Sequence, residues 1–384
     1  MLPHLQSSAR ATRQSHIGFN MTIGSAQPHN YDLQLQDKIT QTESEFAQFD
    51  LPGLDVFRSP KDYFRMRAEF KVWYSKETEQ ADFVMHNPKN PQELVVIEHY
   101  SIGSTRINEL MAALRQEINN DPVLRHKLFQ AEFLTATTGE AVITLIYHKP
   151  VSEQWKIKAQ QLSKTLNCSV IGRSRKQKFV VGKDYIYENM RVGDKLYQYQ
   201  QVETGFTQPN ANVCEKMLNW ACDSVAGVGG DLLELYCGNG NFTLPLAAHF
   251  DKVLATEISK TSVNSALHNM DINDVDNIKI ARMSSEEFTQ ALNGAREFRR
   301  LKEIDLTSYN FTTIFVDPPR AGLDSETEEL ASRFNNILYI SCNPETLKTN
   351  LTFLSDTHKI ERFALFDQFP YTHHRECGVW LRRR

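Results

Sequence analysis

The 384-residue chain has no run of about 18 apolar residues, so no segment reads as a membrane-spanning helix. Its six cysteines, at positions 168, 214, 222, 237, 342 and 377, never fall into CxxC pairs. That scatter argues against a zinc ribbon, an iron–sulfur cluster or a disulfide framework, and no metal site is expected. It favours a reducing compartment, here the cytoplasm. Charge of one sign is also missing: 43 Lys and Arg oppose 47 Asp and Glu, for a net charge of −4. Such a balance argues against nonspecific coating of nucleic acid, although it leaves room for a local basic face. The dinucleotide fingerprint GxGxxG is absent as well. Gly238 and Gly240 are followed by Asn241-Phe242-Thr243, with no third glycine in place.

What is present falls into two rhythms, and the length alone leads to an expectation of two domains. Residues 1–31 are polar, without apolar periodicity, and are expected to form a disordered extension, with Met21 as an alternative start. Residues 32–205 read as an α+β module. Tyr63 to Tyr74 alternates like a strand, Leu94 to Ile97 is a short apolar strand, and Ser104 is placed to cap a helix running to Ile118. Thr137-Thr138-Gly139-Glu140 reads as a hairpin turn between strands Phe129–Thr135 and Ala141–His148, and a second helix is expected from Val151 to Leu166. Residues 206–384 alternate strand and helix. Short apolar strands at 232–236, 252–256, 313–316 and 337–340 predict a doubly wound α/β sheet.

Chemistry-bearing residues cluster where those strands end. Ile337 to Ile340 stops at Ser341-Cys342-Asn343-Pro344, placing a thiol at a carboxyl strand end. Tyr236-Cys237-Gly238-Asn239-Gly240-Asn241 follows the first strand, and glycines there let the backbone approach a ligand closely. Glu257 ends the next strand and is placed to accept hydrogen bonds from ribose hydroxyls. Asp317-Pro318-Pro319-Arg320 ends a later one. The loop, the strand-end acid and the Asp-Pro-Pro together resemble the S-adenosylmethionine-dependent methyltransferase fold more than a dehydrogenase. Enzymes of that fold that methylate amines carry an aromatic after Pro-Pro, and Arg320 stands there instead.

A cysteine suits methylation at carbon-5 of a pyrimidine, which is a poor nucleophile until a thiolate adds at carbon-6. A base must then remove the carbon-5 proton before the thiol leaves. Glu376, His373 and His374 are all placed for that role by position. Three basic clusters lie in the first half: Arg65 with Arg67, Arg125 to Lys127, and Arg173 to Lys178. They make a phosphate-binding face one reading and a solvated surface the other.

The blocks Phe206 to Asn210, Leu235 to Phe242, Phe315 to Arg320, Ile340 to Pro344 and His373 to Cys377 resemble the RNA uracil-5-methyltransferase family, and within it the tRNA branch. The resemblance implies a Rossmann-like class I methyltransferase domain preceded by an RNA-recognition domain. It implies methylation of the T-loop uridine at tRNA position 54, with Cys342 as nucleophile and Glu376 as proton acceptor. Gln208, Tyr236, Asn241, Glu257 and Asp317 match positions that bind S-adenosyl-L-methionine, whose product is S-adenosyl-L-homocysteine. Phe129 is either an aromatic that fills the gap left by the extracted base or simply the start of a buried strand, and Arg65, Arg67, Arg125 and Lys127, from the basic clusters, are candidate RNA contacts. Relatives acting on ribosomal RNA carry an extra barrel and cluster-binding cysteines, neither visible here. The same chemistry on transfer-messenger or ribosomal RNA, or a tRNA-folding activity beside it, are the alternatives. The partner is therefore expected to be the tRNA T-arm, with transfer-messenger RNA as the alternative, and the chain a monomer.

Overall fold

The computed structural model describes residues 23–294 and 298–384. Its larger sheet has eight strands in the spatial order Leu54–Phe57, His358–Phe366, Glu376–Arg383, Asn336–Ser341, Phe311–Val316, Asp231–Leu235, Lys252–Thr256 and Ile278–Ala281. The last five are mutually parallel, and Glu376–Arg383 runs antiparallel to both of its neighbours. Strands such as Asp231–Leu235 and Asn336–Ser341 are buried along their whole length. That is why they read as continuous apolar runs, since helices cover both faces of a parallel sheet. From Asp231–Leu235 the chain winds to one side, through Lys252–Thr256, and later returns on the other side at Phe311–Val316. This reversal opens a crevice at the carboxyl ends of the two strands, where α/β sheets bind ligands.

The smaller sheet has seven strands, in the order Asn90–Val96, Gln80–Asn87, Arg67–Ser75, Leu128–Thr135, Ala141–Tyr147, Ser169–Ser174 and Gln177–Val181. Helices Thr105–Asn120 and Glu153–Leu166 pack on one face through Ile107, Leu110, Leu114, Trp155 and Leu162. Ser104 caps the first, accepting from the Ile107 N–H. The expected hairpin forms, with Thr135 opposite Ala141. A further hairpin, Tyr185–Val192 with Lys195–Val202, joins the two halves. Its free edge is not left bare: Gln198 and Gln200 N–H donate to the Asn273 and Asn269 side chains at 2.8 and 2.7 Å.

Two expectations need correction. Of the extension expected at 1–31, residues 1–22 lie outside the described residues, but residues 23–31 are docked. Ala26 N–H donates to Ser101 Oγ at 2.7 Å, and Tyr31 is fully buried with its hydroxyl accepting from Ser59 N–H. Residues 32–57 were expected in the N-terminal module. Instead, Leu54–Phe57 forms the edge of the C-terminal sheet, and helix Tyr31–Glu45 packs against the segment that follows His358–Phe366. An amphipathic helix and a four-residue strand show which face is apolar, not which distant sheet will cover it. Among the described residues no helix is long and apolar enough to cross a membrane.

Candidate active site

The crevice at the switch point is built by three strand ends and the loop after the first. Tyr236 leaves Asp231–Leu235 in the left-handed region, φ 64°, a conformation that costs a side-chain-bearing residue on the order of 1 kcal/mol. This turns the chain sharply into Cys237-Gly238. Gly240 has φ 82°, and a Cβ there would lie 2.6 Å from Leu244, so only glycine lets the loop close against the following turn. Glu257 fastens the loop from behind, accepting from Gly238 N–H at 3.0 Å and from Ser259 N–H at 2.7 Å. A carboxylate has about four acceptor positions, so lone pairs remain for a ligand.

Gln208, Tyr236, Asn241 and Asp317 line one cleft together with Phe206, Cys214 and Glu234. Gln208 is oriented by Gln368, whose Nε2 donates to Gln208 Oε1 at 2.9 Å. With its oxygen so occupied, the Gln208 amide presents its NH2 as the free donor. Tyr236 accepts a hydrogen bond from Ser285 Oγ at 2.7 Å. Glu234 lies under the cleft, fully buried, and its Oε2 has no hydrogen-bond partner. Burial, reinforced by Asp317, pushes its carboxyl up to about 8.

Cys342 follows strand Asn336–Ser341 and precedes Asn343, the N-cap of helix Pro344–Leu354. Asn343 also donates to the Arg320 carbonyl at 2.8 Å, tying this turn to the one after Asp317. Of the six free cysteines only Cys342 and Cys168 are partly accessible, and Cys168 lies outside this sheet. Ser341 pairs with Cys377 across the antiparallel ladder, so Cys342 and Glu376 sit side by side just beyond it. Desolvation, then the charges of Glu376 and Asp317, push the Cys342 thiol up to about 11, opposed by Arg320. Burial raises Asp317 to about 7, and burial with Asp317 raises Glu376 well above the usual carboxylate range. The three acids therefore compete for ionisation: a negative charge on one makes the next harder to form.

The turn carrying Glu376 is clamped from outside. Helix Tyr31–Glu45 sends Lys38 to Asp367 at 2.8 Å and to the Phe369 carbonyl at 2.8 Å. Arg375 donates back to Glu45 at 2.7 Å and to Thr42 at 3.1 Å. The rings of His373 and His374 lie 4.1 Å apart and tilted by 42°, and an Arg320 Nη2 lies 3.1 Å from His374 Nδ1. Burial, followed by the charges of His373 and Arg320, lowers the His374 pKa. Arg320 can only donate, so the His374 ring nitrogen is the acceptor of this contact.

The residues expected to contact RNA separate into two groups. Arg65 and Arg67 border the catalytic half: Met66 N–H donates to the Pro209 carbonyl at 2.8 Å, and Arg65 bridges Asn210. Phe129, Arg125 and Lys127 lie at the other end of strand Leu128–Thr135, since Arg67 pairs with Leu134. Phe129 is stacked on His148, with ring centroids 4.3 Å apart. Arg125 is largely committed to the fold, donating to the Asn119 carbonyl at 2.7 Å and lying over the Tyr74 ring. Lys127 is exposed. His148 and Gln368 drew no attention in the sequence, because neither belongs to a local motif.

The model of the tRNA (Uracil-5-)-methyltransferase family matches residues 30–384. The chain belongs to this family. Similar curated members are the tRNA/tmRNA (uracil-C(5))-methyltransferases of Teredinibacter turnerae and Saccharophagus degradans. The first is 61% identical, covering 95% of this chain and 100% of the relative; the second is 57% identical, covering 94% and 99%. Among solved structures, the tRNA (uracil-54, C5)-methyltransferase of Pyrococcus abyssi in complex with S-adenosyl-L-homocysteine superposes with a TM-score of 0.71. It is 20% identical and covers 92% of this chain and 83% of that one. This shared fold supports the doubly wound sheet read from the strand pattern and the Rossmann-like methyltransferase class that the resemblance implied. Family membership makes the chain an RNA-modifying methyltransferase acting at uracil carbon-5.

Proposed function

We propose that this enzyme methylates carbon-5 of the T-loop uridine at tRNA position 54, acting as a cytoplasmic monomer, with S-adenosyl-L-methionine as donor. The observation that carries the reading is the placement of Cys342 and Glu376 side by side at adjacent strand ends, next to the Gln208–Asp317 cleft. The cleft fits the donor. Glu234 Oε2, buried and unpartnered, suits a cationic or N–H-bearing ligand, and Glu257 retains lone pairs for ribose hydroxyls. S-adenosyl-L-methionine, when bound, supplies an electrophilic methyl group and leaves as S-adenosyl-L-homocysteine.

The chain's own residues then carry the uracil through addition and elimination. Cys342 Sγ bonds to carbon-6, and the ring electrons move onto the carbon-4 carbonyl as an enolate, which makes carbon-5 nucleophilic. The thiol, raised to about 11 in the free enzyme, loses its proton as it adds, and Asp317 is the acceptor, which leaves Glu376 unprotonated for the later step. Once carbon-5 carries the methyl group, Glu376 takes its proton. The carbon-6–sulfur bond breaks, carbon-5 and carbon-6 regain their double bond, and Cys342 is freed. Burial of Glu376 suits this step, because a desolvated carboxylate is a stronger base.

Transfer-messenger RNA is a second substrate supported by the name that the similar curated relatives carry. The test uses tRNA tritiated at uridine carbon-5. Wild type should release tritium in a donor-dependent reaction, and Cys342→Ala should release none while still binding and annealing tRNA. Tritium release by Cys342→Ala would overturn the mechanism. Loss of annealing together with methylation would reject a separate tRNA-folding activity.

A further inference from the structure

The face of the N-terminal sheet opposite its helices holds a cavity of about 280 Å³, lined in part by Arg65, Arg67, Glu69, Glu132, Thr144 and Glu203. Its volume is near the lower end of small-molecule pockets, roughly 300–1,000 Å³. The cavity borders the catalytic half, because Met66 hydrogen-bonds Pro209, the residue next to Gln208 of the catalytic cleft.

Three features of this wall are costly without an occupant. Glu69 and Glu132 stand directly opposite each other across antiparallel strands, a like-charge pairing that destabilises a sheet. Burial pushes the Glu132 carboxyl up. Arg67 keeps Nε and Nη2 shielded from water with no hydrogen-bond partner, and an unmet buried donor costs about 1–3 kcal/mol. Glu203 does not relieve it, since Arg173 takes both of its oxygens at 2.6 Å and Thr144 donates at 3.1 Å. Arg67 pairs with Leu134, two residues along the strand from Glu132, so a fork of donors and a carboxylate flank one space.

We propose that this cavity takes the edge of a guanine base of the RNA substrate, with Arg67 donating to O6 and N7 and Glu132 accepting from N1–H and the N2 amino group. Guanine is the base that presents adjacent acceptors and donors in that order. Adenine puts an amino group where Arg67 needs an acceptor, and pyrimidines lack N7. A phosphate would suit the arginines but would be repelled by Glu69 and Glu132. The proposal rests on the T-arm reading above and identifies a second nucleotide that is gripped beside the target uridine.

The test is binding and tritium release with a T-arm hairpin in which each guanosine in turn is replaced by inosine, which removes only the N2 amino group. One replacement should weaken binding to wild type about ten-fold. Glu132→Gln should weaken the unmodified hairpin by a similar factor and make that inosine replacement nearly silent. If no single inosine changes binding, or if Glu132→Gln tightens it as a phosphate occupant requires, the assignment is overturned. These changes in the RNA leave protein folding untouched. Tritium release from the unmodified hairpin separates the two layers: its absence rejects the T-arm reading, and its presence with indifferent inosines rejects only the guanine pocket.

Discussion

Asp367 and Glu376 lie on either side of one turn, are 1% and 2% exposed, and have opposite fates. Asp367 is met by the Lys38 ammonium at 2.8 Å and the Gln34 amide at 2.9 Å, both from a helix near the start of the chain. Glu376 has no such close cation: burial and then the Asp317 carboxyl resist its ionisation, and the Arg320 charge opposes them only in part. The first acid is a fastener and the second is held at high proton affinity. The difference lies in what the surrounding elements bring to each acid, since burial is the same. A buried carboxylate given a cation is silent; one given other acids is ready to move protons.

Substitutions can break this contrast from either side. Glu376→Gln should cause the largest effect, slowing turnover about 10²- to 10⁴-fold. A denaturant-resistant protein–RNA adduct should accumulate, visible as a shifted band on a denaturing gel. Normal turnover would transfer the role to His373 or His374. Lys38→Met leaves Asp367 buried without its cation and should cost about 3–5 kcal/mol in a denaturant titration. The double variant Lys38→Met/Asp367→Leu should recover much of that loss, as apolar replacement of a whole pair often does.

Asp317→Asn should do the reverse at alkaline pH. The folded-state value of Asp317, about 7, lies above its ordinary 3.8. The wild-type carboxyl is therefore neutral in both states at low pH, and its contribution is lost as pH rises through about 7. The variant should be more stable than wild type at pH 8, by on the order of 4 kcal/mol, with no advantage near pH 4. Thermal melts across that range read it directly. Phe129→Ala, far from these acids, should weaken T-arm binding by about 1–3 kcal/mol and leave donor affinity unchanged.

Much of the catalytic edge was legible because its residues sit where apolar runs stop. Cys342, Asp317 and the Tyr236–Asn241 loop each end a buried strand, and a buried parallel strand is hard to mistake for a surface segment. Glu376 was one of three candidates by position, and the ladder that sets it opposite Cys342 could not be read from spacing. Lys38 and Asp367 were invisible for a related reason: they meet from 329 residues apart, and neither lies in a motif. The hairpin at 185–202 also escaped notice. Its alternation is carried by Tyr and Gln rather than aliphatics, and side chains of Asn269 and Asn273 satisfy its edge. The Arg125–Lys127 cluster shows that one basic run can divide its roles, since Arg125 donates to the Asn119 carbonyl at a helix end while Lys127 is exposed.

The strand Leu54–Phe57 closes the edge of the catalytic sheet from the far end of the chain, with Phe57 stacked on Phe366 at 4.9 Å. Made early on the ribosome, it has no partner until His358–Phe366 emerges near the end of synthesis. Completion of the sheet is thus a late, long-range event, the kind that slows folding. A fragment starting at residue 206 would present His358–Phe366 as a bare apolar edge, ready to pair with another copy. A chain nicked between its halves would stay clasped, because its first helix and edge strand are already seated on the last third of the molecule.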